Sequence, residues 1–280
     1  MRIMCDSGCM YTPEQAKELG LDVLNLQVTC NGNTYIEYVD IDGPGFLDEV
    51  RKGGIPTSSQ PPIGITMDAF DSIEDGDEAI VLCMADGLSG TYQSTVSAAQ
   101  SSDKADRITV INTRSLCGPE RYLVNVALKM RDAGKTKGEI VKRLNEVMDT
   151  AESFLIPQDF EFLKRGGRMT PLAATIGGML KIVPVLTQTP DGKRLEKFTI
   201  KKSFKGAVKE IVKHFKAKGV DESYMFVVTH AGAQHFADEA VEVIKKEYPN
   251  AKYEIYHLSP AFITQGGPDC CAIQRVKLFD

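Results

Sequence analysis

The sequence lacks the features that mark membrane-spanning and nucleic-acid-binding proteins. No apolar run approaches the roughly 20 residues that a transmembrane helix needs, so we expect no stable membrane insertion. An excess of positive charge is also missing, because 33 Lys and Arg stand against 38 Asp and Glu for a net charge of −5. Non-specific binding to nucleic acid requires a basic surface. We therefore expect no nucleic-acid partner.

Metal-binding and nucleotide-binding motifs are missing as well. The seven cysteines include an adjacent pair, Cys270-Cys271, and a pair separated by three residues, Cys5 and Cys9. Neither spacing is typical of a zinc site, so we expect free thiols, no metal and no cofactor. No Gly-Lys-Ser/Thr loop is present to hold ATP phosphates. Residues 1–5 read as a strand at the start of the sequence, from which we expect no signal peptide and a cytoplasmic protein.

Strand-like and helical stretches alternate through the first half of the chain. This alternation predicts a mostly parallel sheet with helices on both faces, and ligand sites outside the carboxyl ends of its strands. We assign an α/β domain to residues 1–152. The strand patterns cover residues 2–5, 23–29, 79–84 and 108–112, and the helical patterns cover residues 90–100, 120–132 and 137–149.

The second half follows a different order and predicts a second, mixed-sheet α/β domain over residues 153–280. The segment Thr189-Pro190-Asp191-Gly192 has the composition of a tight turn, so residues 180–188 and 194–200 should form a hairpin around it. No linker marks the boundary, which we place near Glu152. The other predicted strands are 153–157, 224–230 and 253–257, and the predicted helices are 160–164, 203–218 and 233–247.

Two short loops rich in hydroxyl groups are the most informative feature of the chain. They are Pro56-Thr57-Ser58-Ser59-Gln60-Pro61 and Leu88-Ser89-Gly90-Thr91-Tyr92, and each joins an extended segment to a helical one. The first N–H groups of a helix lack partners and the helix dipole favours negative charge there. Such loops therefore predict a cradle for a carboxylate or a phosphate.

The second of these loops also approaches the nucleophile elbow of serine hydrolases. In Gly87-Leu88-Ser89-Gly90-Thr91, however, Thr91 stands where that motif needs its second glycine. His230 and His235 remain candidate bases, but nothing in the sequence links either to Ser89. We expect neither covalent catalysis nor any catalytic residue.

Several segments, in this order along nearly the whole chain, resemble the DegV family. This family comprises lipid-binding proteins and includes the fatty-acid-binding subunits of bacterial fatty acid kinase. The segments are Asp6-Ser7, Thr57-Ser58-Ser59-Gln60-Pro61, Leu88-Ser89-Gly90-Thr91-Tyr92-Gln93-Ser94, Phe162-Leu163-Lys164-Arg165-Gly166-Gly167-Arg168, Leu180-Lys181-Ile182-Val183-Pro184-Val185-Leu186 and Gly267-Pro268.

The resemblance implies a two-domain DegV-like fold with a lipid tunnel between the domains. It implies that hydroxyl groups of Ser58 and Ser89 bind the carboxylate of a long-chain fatty acid. The protein would be a non-catalytic carrier whose bound acid a separate, ATP-dependent kinase subunit converts to an acyl phosphate. The other binding residues that we assign are Thr57, Ser59, Gly90, Thr91, Arg168 and Gln265.

Two further groups of residues have a functional and a structural interpretation. Lys164, Arg165 and Arg168 could lie at the ligand mouth or form an ion-pair network that fixes their loop. The apolar residues Leu172, Ala173, Ile176, Met179 and Leu180 could line an acyl tunnel or pack in the core. The sequence does not separate these alternatives.

The chain departs from the family pattern near the expected site. Gln265 stands where fatty-acid-binding members usually carry histidine, and Lys202 stands in place of an arginine. Asp86 and Ala85 replace two serines, and Asp86 adds a negative charge near the expected carboxylate. Glutamine donates a hydrogen bond but does not become cationic. These departures leave lipid binding as the expectation and put the kinase partner in doubt.

Two other functions remain open from the sequence. One is a small-molecule enzyme that acts on a phosphorylated or acyl substrate at a cleft formed by Asp6, Ser7 and Ser89. The other is a lipid-binding sensor without a kinase partner.

Overall fold

The computed structural model describes residues 1–176 and 182–279, which contain thirteen strands and eleven α-helices. The strands are β1 (Arg2–Asp6), β2 (Leu21–Leu24), β3 (Gln27–Cys30), β4 (Asn33–Ile36), β5 (Thr57–Ser59), β6 (Ala79–Cys83), β7 (Ile108–Asn112), β8 (Glu152–Ile156), β9 (Val183–Gln188), β10 (Leu195–Lys201), β11 (Tyr224–His230), β12 (Lys252–His257) and β13 (Cys271–Lys277). The helices are α1 (Pro13–Leu19), α2 (Gly43–Arg51), α3 (Ile63–Asp71), α4 (Thr91–Ser101), α5 (Cys117–Asp132), α6 (Lys137–Met148), α7 (Phe160–Gly166), α8 (Pro171–Ala174), α9 (Phe204–Ala217), α10 (Gln234–Glu247) and α11 (Pro260–Gly266).

The first half forms the predicted parallel sheet, with strand order β2-β1-β6-β7. Along β6, Ile80 and Leu82 point into a core with helices α5 and α6, whereas Val81 and Cys83 point into a second core with α3 and α4. Successive side chains of a strand face opposite sides of the sheet, so an unbroken apolar run is buried on both faces. The predicted parallel sheet with helices on both faces is confirmed.

The second half forms a mixed sheet of six strands in the order β10-β9-β8-β13-β11-β12. The predicted hairpin is present: β9 and β10 are antiparallel, and Gly192 closes the turn by donating its N–H to Thr189 O at 2.7 Å. The first two residues of the strand predicted at 180–188 lie outside the described residues. Strand β13, which the sequence analysis did not predict, lies between β8 and β11 at the middle of this sheet. The α/β class and the mixed second sheet are confirmed.

A third, smaller sheet overturns one prediction. Residues 23–29 are not one strand, because the chain leaves the parallel sheet after Leu24 and enters the antiparallel sheet β4-β3-β5 at Gln27. The break is held by Ser7 Oγ, which accepts the N–H of Leu26 at 2.9 Å. The segment expected to be a hydroxyl-rich loop is itself strand β5, with Ser58 opposite Val28.

The two larger sheets share a core. In sequence, every strand of the parallel sheet comes before Glu152 and every strand of the six-stranded sheet begins at or after it. In space the two sheets are not separate, because helix α5 packs between them. Gly118 of α5 sits so close to Val227 of β11 that a methyl group on the glycine would lie 2.4 Å from the valine side chain. The boundary near Glu152 remains a prediction.

None of the helices within residues 1–176 and 182–279 combines the length and the apolar character that crossing a lipid bilayer requires.

Candidate functional site

The site is a cavity of about 360 Å³ that opens where the three sheets meet. Leu26 and Ser58 line it from the small sheet, Ser89 from the loop after β6, and Leu155 and Leu186 from the six-stranded sheet. This volume lies near the lower end of the range for small-molecule sites. Most of the wall is apolar, through side chains that include Leu26, Met84, Leu88, Leu116, Leu155, Leu163, Leu186, Leu195, Leu258 and Phe262.

Three serines, which we call the hydroxyl lip, gather at one part of the wall: Ser58, Ser59 and Ser89. Ser58 Oγ accepts a long hydrogen bond of 3.5 Å from Gln265 Nε2. Ser89 Oγ lies 2.8 Å from Thr91 Oγ1 and accepts the Thr91 N–H at 3.3 Å. The structure thus brings hydroxyl groups of both sequence-predicted segments to one cavity.

The helices that follow the lip begin at residues that cannot cap them with a side chain. Helix α3 starts after Pro62 and helix α4 after Gly90, and neither residue makes a side-chain capping bond. At the first turn of α4, Ser89 Oγ accepts the Thr91 N–H at the long distance of 3.3 Å. Helices α1 and α6, away from the cavity, are instead closed by full capping boxes at Thr12 and Thr136. Uncapped first-turn N–H groups favour an anion. The lip therefore combines hydroxyl donors with two helix N-termini.

Gln265 lies beside the lip on helix α11. Its Oε1 is buried and has no hydrogen-bond partner among the described residues, while its Nε2 also donates to Thr264 Oγ1 at 3.1 Å. The amide packs directly over Gly166, where a methyl group would lie 2.1 Å from Oε1. A buried polar atom without a partner is costly unless a ligand or water supplies one.

Arg168 also lines the cavity and joins two loops. Its Nε donates to Leu88 O at 3.2 Å, and its Nη1 donates to Gly166 O. The guanidinium therefore brings positive charge to the wall while fixing the loop that carries Ser89. The expected ion-pair network is not found for Arg168 among the described residues, because both of its partners are backbone carbonyls, and its role at a ligand mouth stays a prediction.

Some of the predicted binding residues do not line the cavity. Thr57 is exposed on the other side of β5, and Thr91 is buried, where its hydroxyl meets Ser89. Gly90 does line the cavity. Arg165 is exposed with its guanidinium 4.7 Å from the ring centroid of Phe162.

The two lysines that the sequence analysis considered, Lys164 and Lys202, do not reach the cavity wall. Lys164 is exposed and lies 3.7 Å from Glu161, so it forms a surface ion pair. Lys202, the residue that stands for a family arginine, is exposed before helix α9 and is not part of the cavity wall.

The negative charge of Asp86 does not face the cavity, contrary to what its position in the sequence suggested. Its carboxylate forms an ion pair with Lys193 of the β9–β10 turn, and that contact lowers the pKa of Asp86. The side chain does not line the cavity. Its negative charge is thus compensated outside the cavity.

The expected tunnel-lining run does not form the wall where it is described. Leu172 is 74% exposed, whereas Ala173 and Ile176 are buried with Leu163 and Leu186 in a small core. Met179 and Leu180 lie outside the described residues. The apolar wall comes instead from strands β8, β9 and β13 and from helix α11.

The proposed cleft of Asp6, Ser7 and Ser89 does not exist. Asp6 and Ser7 are completely buried and do not line the cavity that holds Ser89. Asp6 accepts the N–H groups of Gly8 at 2.8 Å and Met84 at 2.7 Å, so both of its oxygens bind backbone. The sequence analysis missed this burial because a carboxylate at a strand end usually faces solvent.

Asp6 belongs to a group of three buried carboxyls, Asp6, Glu37 and Glu120, which we call the carboxyl cluster. Burial raises the pKa of Asp6 to about 6 and that of Glu37 to about 7. Burial, followed by the charge of Asp6, raises the pKa of Glu120 well above its usual range. A methyl group on Gly8 would lie 2.7 Å from Asp6 Oδ1 and 2.8 Å from Glu120 Oε2. The cluster is thus packed too tightly for a substrate.

No histidine is placed to activate Ser89. All four histidines lie in the described residues, and none lines the cavity. His257 Nε2 accepts the Gly232 N–H at 3.1 Å, and His214 pairs with Glu152 at 2.7 Å. A serine nucleophile needs a base within hydrogen-bond reach.

Metal ligands do not gather in the described part of the chain. Across residues 1–176 and 182–279, no three His, Cys, Asp or Glu side chains are grouped as a metal site would require.

Sequence reasoning missed three polar residues of the wall: Ser153, Gln188 and Gln274. Gln274 interrupts the apolar residues of β13, but a glutamine in an unpredicted strand gives no signal of a ligand. Only the pairing of β13 with β8 brings Gln274 opposite Ser153.

Comparison with known proteins identifies the family. The family model described as "Uncharacterised protein, DegV family" matches residues 1–278. A DegV domain-containing protein, YteA of Lactococcus lactis, is 29% identical over 283 residues, with 99% of this chain and 97% of the relative covered. Protein DegV of Bacillus subtilis is 26% identical, with 90% of each chain covered.

Solved structures give the same result. The structure of DegV from Bacillus subtilis, described as a fatty acid binding protein, superposes with a TM-score of 0.85 at 25% identity and covers 99% of both chains. A DegV family protein from Thermus thermophilus, whose structure is described by its fatty acid binding, gives a TM-score of 0.88 at 26% identity. It covers 99% of this chain and 100% of its own. From its sequence and its fold, the chain belongs to the DegV family.

Proposed function

We propose that this protein binds a long-chain fatty acid, with the carboxylate at the hydroxyl lip and the acyl chain in the apolar cavity. The observation that carries the proposal is the combination of a mostly apolar wall with hydroxyl groups and two helix N-termini whose N-cap residues, Pro62 and Gly90, make no side-chain capping bond. The relatives from Bacillus subtilis and Thermus thermophilus are described as binding fatty acids, which supports the same function here.

The two parts of the site contribute differently to binding. Burial stabilises a bound chain by about 0.8 kcal/mol per methylene, or roughly 12 kcal/mol for ~15 carbons before the costs of association. Hydrogen bonds to an ionised group add about 1.5–3 kcal/mol each. The apolar wall therefore supplies most of the affinity, and Ser58 and Ser89 select the carboxylate and fix its orientation.

Neighbouring residues complete the head-group site in this proposal. Ser59, Gly90 and Gln265 line the cavity beside the two serines, and Arg168 adds positive charge. The Gln265 amide, whose Oε1 has no partner among the described residues, can turn to donate Nε2 to the carboxylate in place of its long bond to Ser58. Thr91 acts through Ser89, whose hydroxyl it contacts.

The role that fits this site is that of a cytoplasmic carrier without cofactor or catalytic residue. The bound acid would be presented to a separate kinase subunit, which transfers a phosphoryl group from ATP to the carboxylate and yields an acyl phosphate and ADP. A kinase that needs a cationic histidine at position 265 would not accept this protein. A pull-down with a fatty acid kinase catalytic subunit and an acyl-phosphate assay test this part separately.

The binding itself is tested by removing the two hydroxyl groups. Ser58→Ala and Ser89→Ala should each weaken palmitate binding by about 1–3 kcal/mol while leaving the fold intact. Hexadecanol, which has no carboxylate, should bind the wild type and the double variant alike. Thr57→Ala is the matched control, because Thr57 is exposed and does not line the cavity.

Titration calorimetry and native mass spectrometry of the purified protein provide the readouts. We expect a co-purified fatty acid of roughly 14–18 carbons, whose buried methylenes supply most of the affinity. The proposal fails if no lipid is found and neither palmitate nor oleate raises the melting temperature. Equal palmitate affinity in the wild type and the double variant would remove Ser58 and Ser89 from the head-group site.

A further inference from the structure

A second cavity, of about 220 Å³, lies between the starts of helices α1 and α2 and the end of strand β12. We call it the Arg121 cavity, after a residue of helix α5 on its wall. Met10, Tyr38, Tyr256 and Leu258 also line it, and Leu258 lines the larger cavity at the hydroxyl lip as well. The volume is below the usual range for drug-sized ligands, so the Arg121 cavity suits a smaller molecule.

Arg121 is a buried cation without a carboxylate partner in the described part of the chain. Its side chain belongs to a residue that is 9% exposed, and no other described Lys or Arg is buried. Nη1 donates to Met10 O at 2.6 Å and to Cys9 O at 3.4 Å, and Nη2 donates to Gln15 Oε1 at 3.2 Å. All of these acceptors are neutral. Because a buried charge is costly without a counter-ion, the cavity wall favours an anion beside Arg121.

Two other arginines of this chain show how such a guanidinium binds a carboxylate. Arg2 donates Nε and Nη2 to Asp22 Oδ2 at 2.9 and 2.7 Å, and Arg275 donates the same two atoms to Glu152 Oε2 at 3.1 and 2.8 Å. On Arg121, Nε has no acceptor among the described residues, and one of the two protons on Nη2 is also unused. The two nitrogens that hold a carboxylate elsewhere in the chain therefore hold none here.

Two aromatic rings fix the orientation of this guanidinium. The Arg121 Cζ lies 3.7 Å from the ring centroid of Tyr11 and 4.8 Å from that of Tyr256. Such contacts stabilise a cation, but the rings carry no net negative charge and leave the need for a counter-ion. A ligand therefore meets a cation that is already held in place, which lowers the entropy cost of binding.

Two further groups on the wall limit the charge of the ligand. His257 Nε2 accepts the Gly232 N–H at 3.1 Å, so the ring proton is on Nδ1, which donates to Leu258 O at 3.0 Å, and the ring is neutral. Asp42 adds a carboxylate to the wall, and its Oδ1 accepts the Gly45 N–H at 2.8 Å to cap helix α2. A ligand with two negative charges would be repelled by Asp42. The charges of the wall therefore favour a monoanion over a phosphate or a dicarboxylate.

We propose that the Arg121 cavity is a second ligand site, which binds a small carboxylic acid with an apolar body. The carboxylate accepts the free N–H groups of Arg121 Nε and Nη2, and charge-assisted bonds of this kind are among the strongest in proteins. The apolar body of the acid lies against Met10, Tyr38 and Tyr256. This site is independent of fatty acid binding at the hydroxyl lip, so it stands or falls separately from the proposed function.

The test compares phenylacetate with phenylacetamide, its neutral analogue, by titration calorimetry. We expect the wild type to bind phenylacetate about tenfold more tightly than the amide. Gln15→Glu keeps the capping box with Thr12 and places a carboxylate beside Arg121 Nη2, so it should weaken phenylacetate binding about tenfold by taking the place of the ligand. Gln100→Glu is the matched control, because it adds the same charge at an exposed position of helix α4 outside both cavity walls.

A further variant pair separates this site from the hydroxyl lip. The double variant Ser58→Ala, Ser89→Ala should bind phenylacetate as the wild type does, whereas Arg121→Met should lose the preference for the acid over the amide. The inference is wrong if the wild type binds neither compound or binds both equally, or if Gln15→Glu keeps the wild-type affinity. A loss of phenylacetate binding in the double variant would place the acid at the lip and also overturn it. Gln15→Glu changes an exposed residue, so the test does not depend on the folding of Arg121→Met.

Discussion

The carboxyl cluster and the hydroxyl lip both consist of polar side chains, and they lie close together. The N–H of Met84 donates to Asp6 of the cluster, and the same residue lines the cavity that holds the lip. Their hydrogen bonding is opposite. Within the cluster, Asp6 and Glu37 accept backbone N–H groups of Gly8, Met84 and Ala261 at 2.7–2.8 Å. In the lip, Ser59 is exposed, and among the described side chains Ser58 and Ser89 have hydrogen bonds only with Gln265 and Thr91.

This difference indicates which polar groups can serve a ligand. A side chain whose hydrogen bonds are already made to the backbone holds the fold together, and removing it leaves buried partners unpaired. A side chain with unused donors can exchange water for a ligand at small cost. The cluster should therefore control stability and the lip should control binding.

The strongest test of the comparison is the pH dependence of the Glu37→Gln variant. Glu37 joins Ser7 to the N–H of Ala261 at the start of α11, and burial raises its pKa to about 7. Between the unfolded value near 4.5 and pH 7, the native state binds more protons than the unfolded state, so its stability falls as the pH rises. Below that window the contribution is fully present.

Replacing Glu37 by glutamine removes this titration. The wild type should lose about 3 kcal/mol relative to the variant between pH 4.5 and pH 8. Urea unfolding at the two pH values measures the difference, and Glu18→Gln on the exposed side of α1 should behave as the wild type. If Glu37→Gln keeps the wild-type pH dependence, the cluster does not control stability as the comparison requires.

Much of the fold could be predicted because its main elements carry strong local patterns. The run at β6 is apolar without interruption, and the turn at Gly192 has the residues that a tight hairpin needs. The break after Leu24 was not predictable, since it depends on the Ser7 hydroxyl from another strand. Strand β13 was missed because its polar residue Gln274 finds its partners on distant segments, at Leu116, Gly118 and Ser153.

The site was predictable to a smaller extent. Ser58 and Ser89 both line the cavity, and each lies shortly before the start of a helix that follows a strand. Which of their neighbours face the cavity depends on strand alternation and on packing, as Thr57 and Thr91 illustrate. The polar wall residues Ser153, Gln188 and Gln274 are 35 or more positions apart in sequence, so no local pattern could reveal that they share one wall.

A second test asks whether the lip depends on its backbone support. Gly87 lies against the β9–β10 turn, and a methyl group there would meet Lys193 Cα at 2.1 Å. Gly87→Ala must push the Ser89 loop away from this turn, with an expected loss of about 1–3 kcal/mol in unfolding free energy. Palmitate affinity should fall with it, because Ser89 moves relative to Ser58.

Gly64 provides the matched control, since no atom lies within 4 Å of a methyl group placed there on helix α3. Gly64→Ala should leave binding unchanged and stabilise the fold by about 0.5–1 kcal/mol through helix propensity. Thermal unfolding and palmitate titration of both variants provide the measurement. Equal palmitate affinity for the two variants would show that the lip tolerates movement of its loop.

The smallest expected effect concerns Gln265, the residue that departs from the family pattern beside the lip. Glutamine does not titrate, so palmitate affinity should show no step from this position between about pH 6 and 7. Gln265→His should introduce such a step, with binding several-fold tighter on the acidic side, because an imidazolium attracts the ionised carboxylate. Gln265→Asn keeps the amide and controls for the change in size. Affinity measured from pH 5.5 to 8 for the three proteins decides the matter: if the histidine variant is as flat as the wild type, position 265 lies away from the head group, and the unpartnered Oε1 must be satisfied by water.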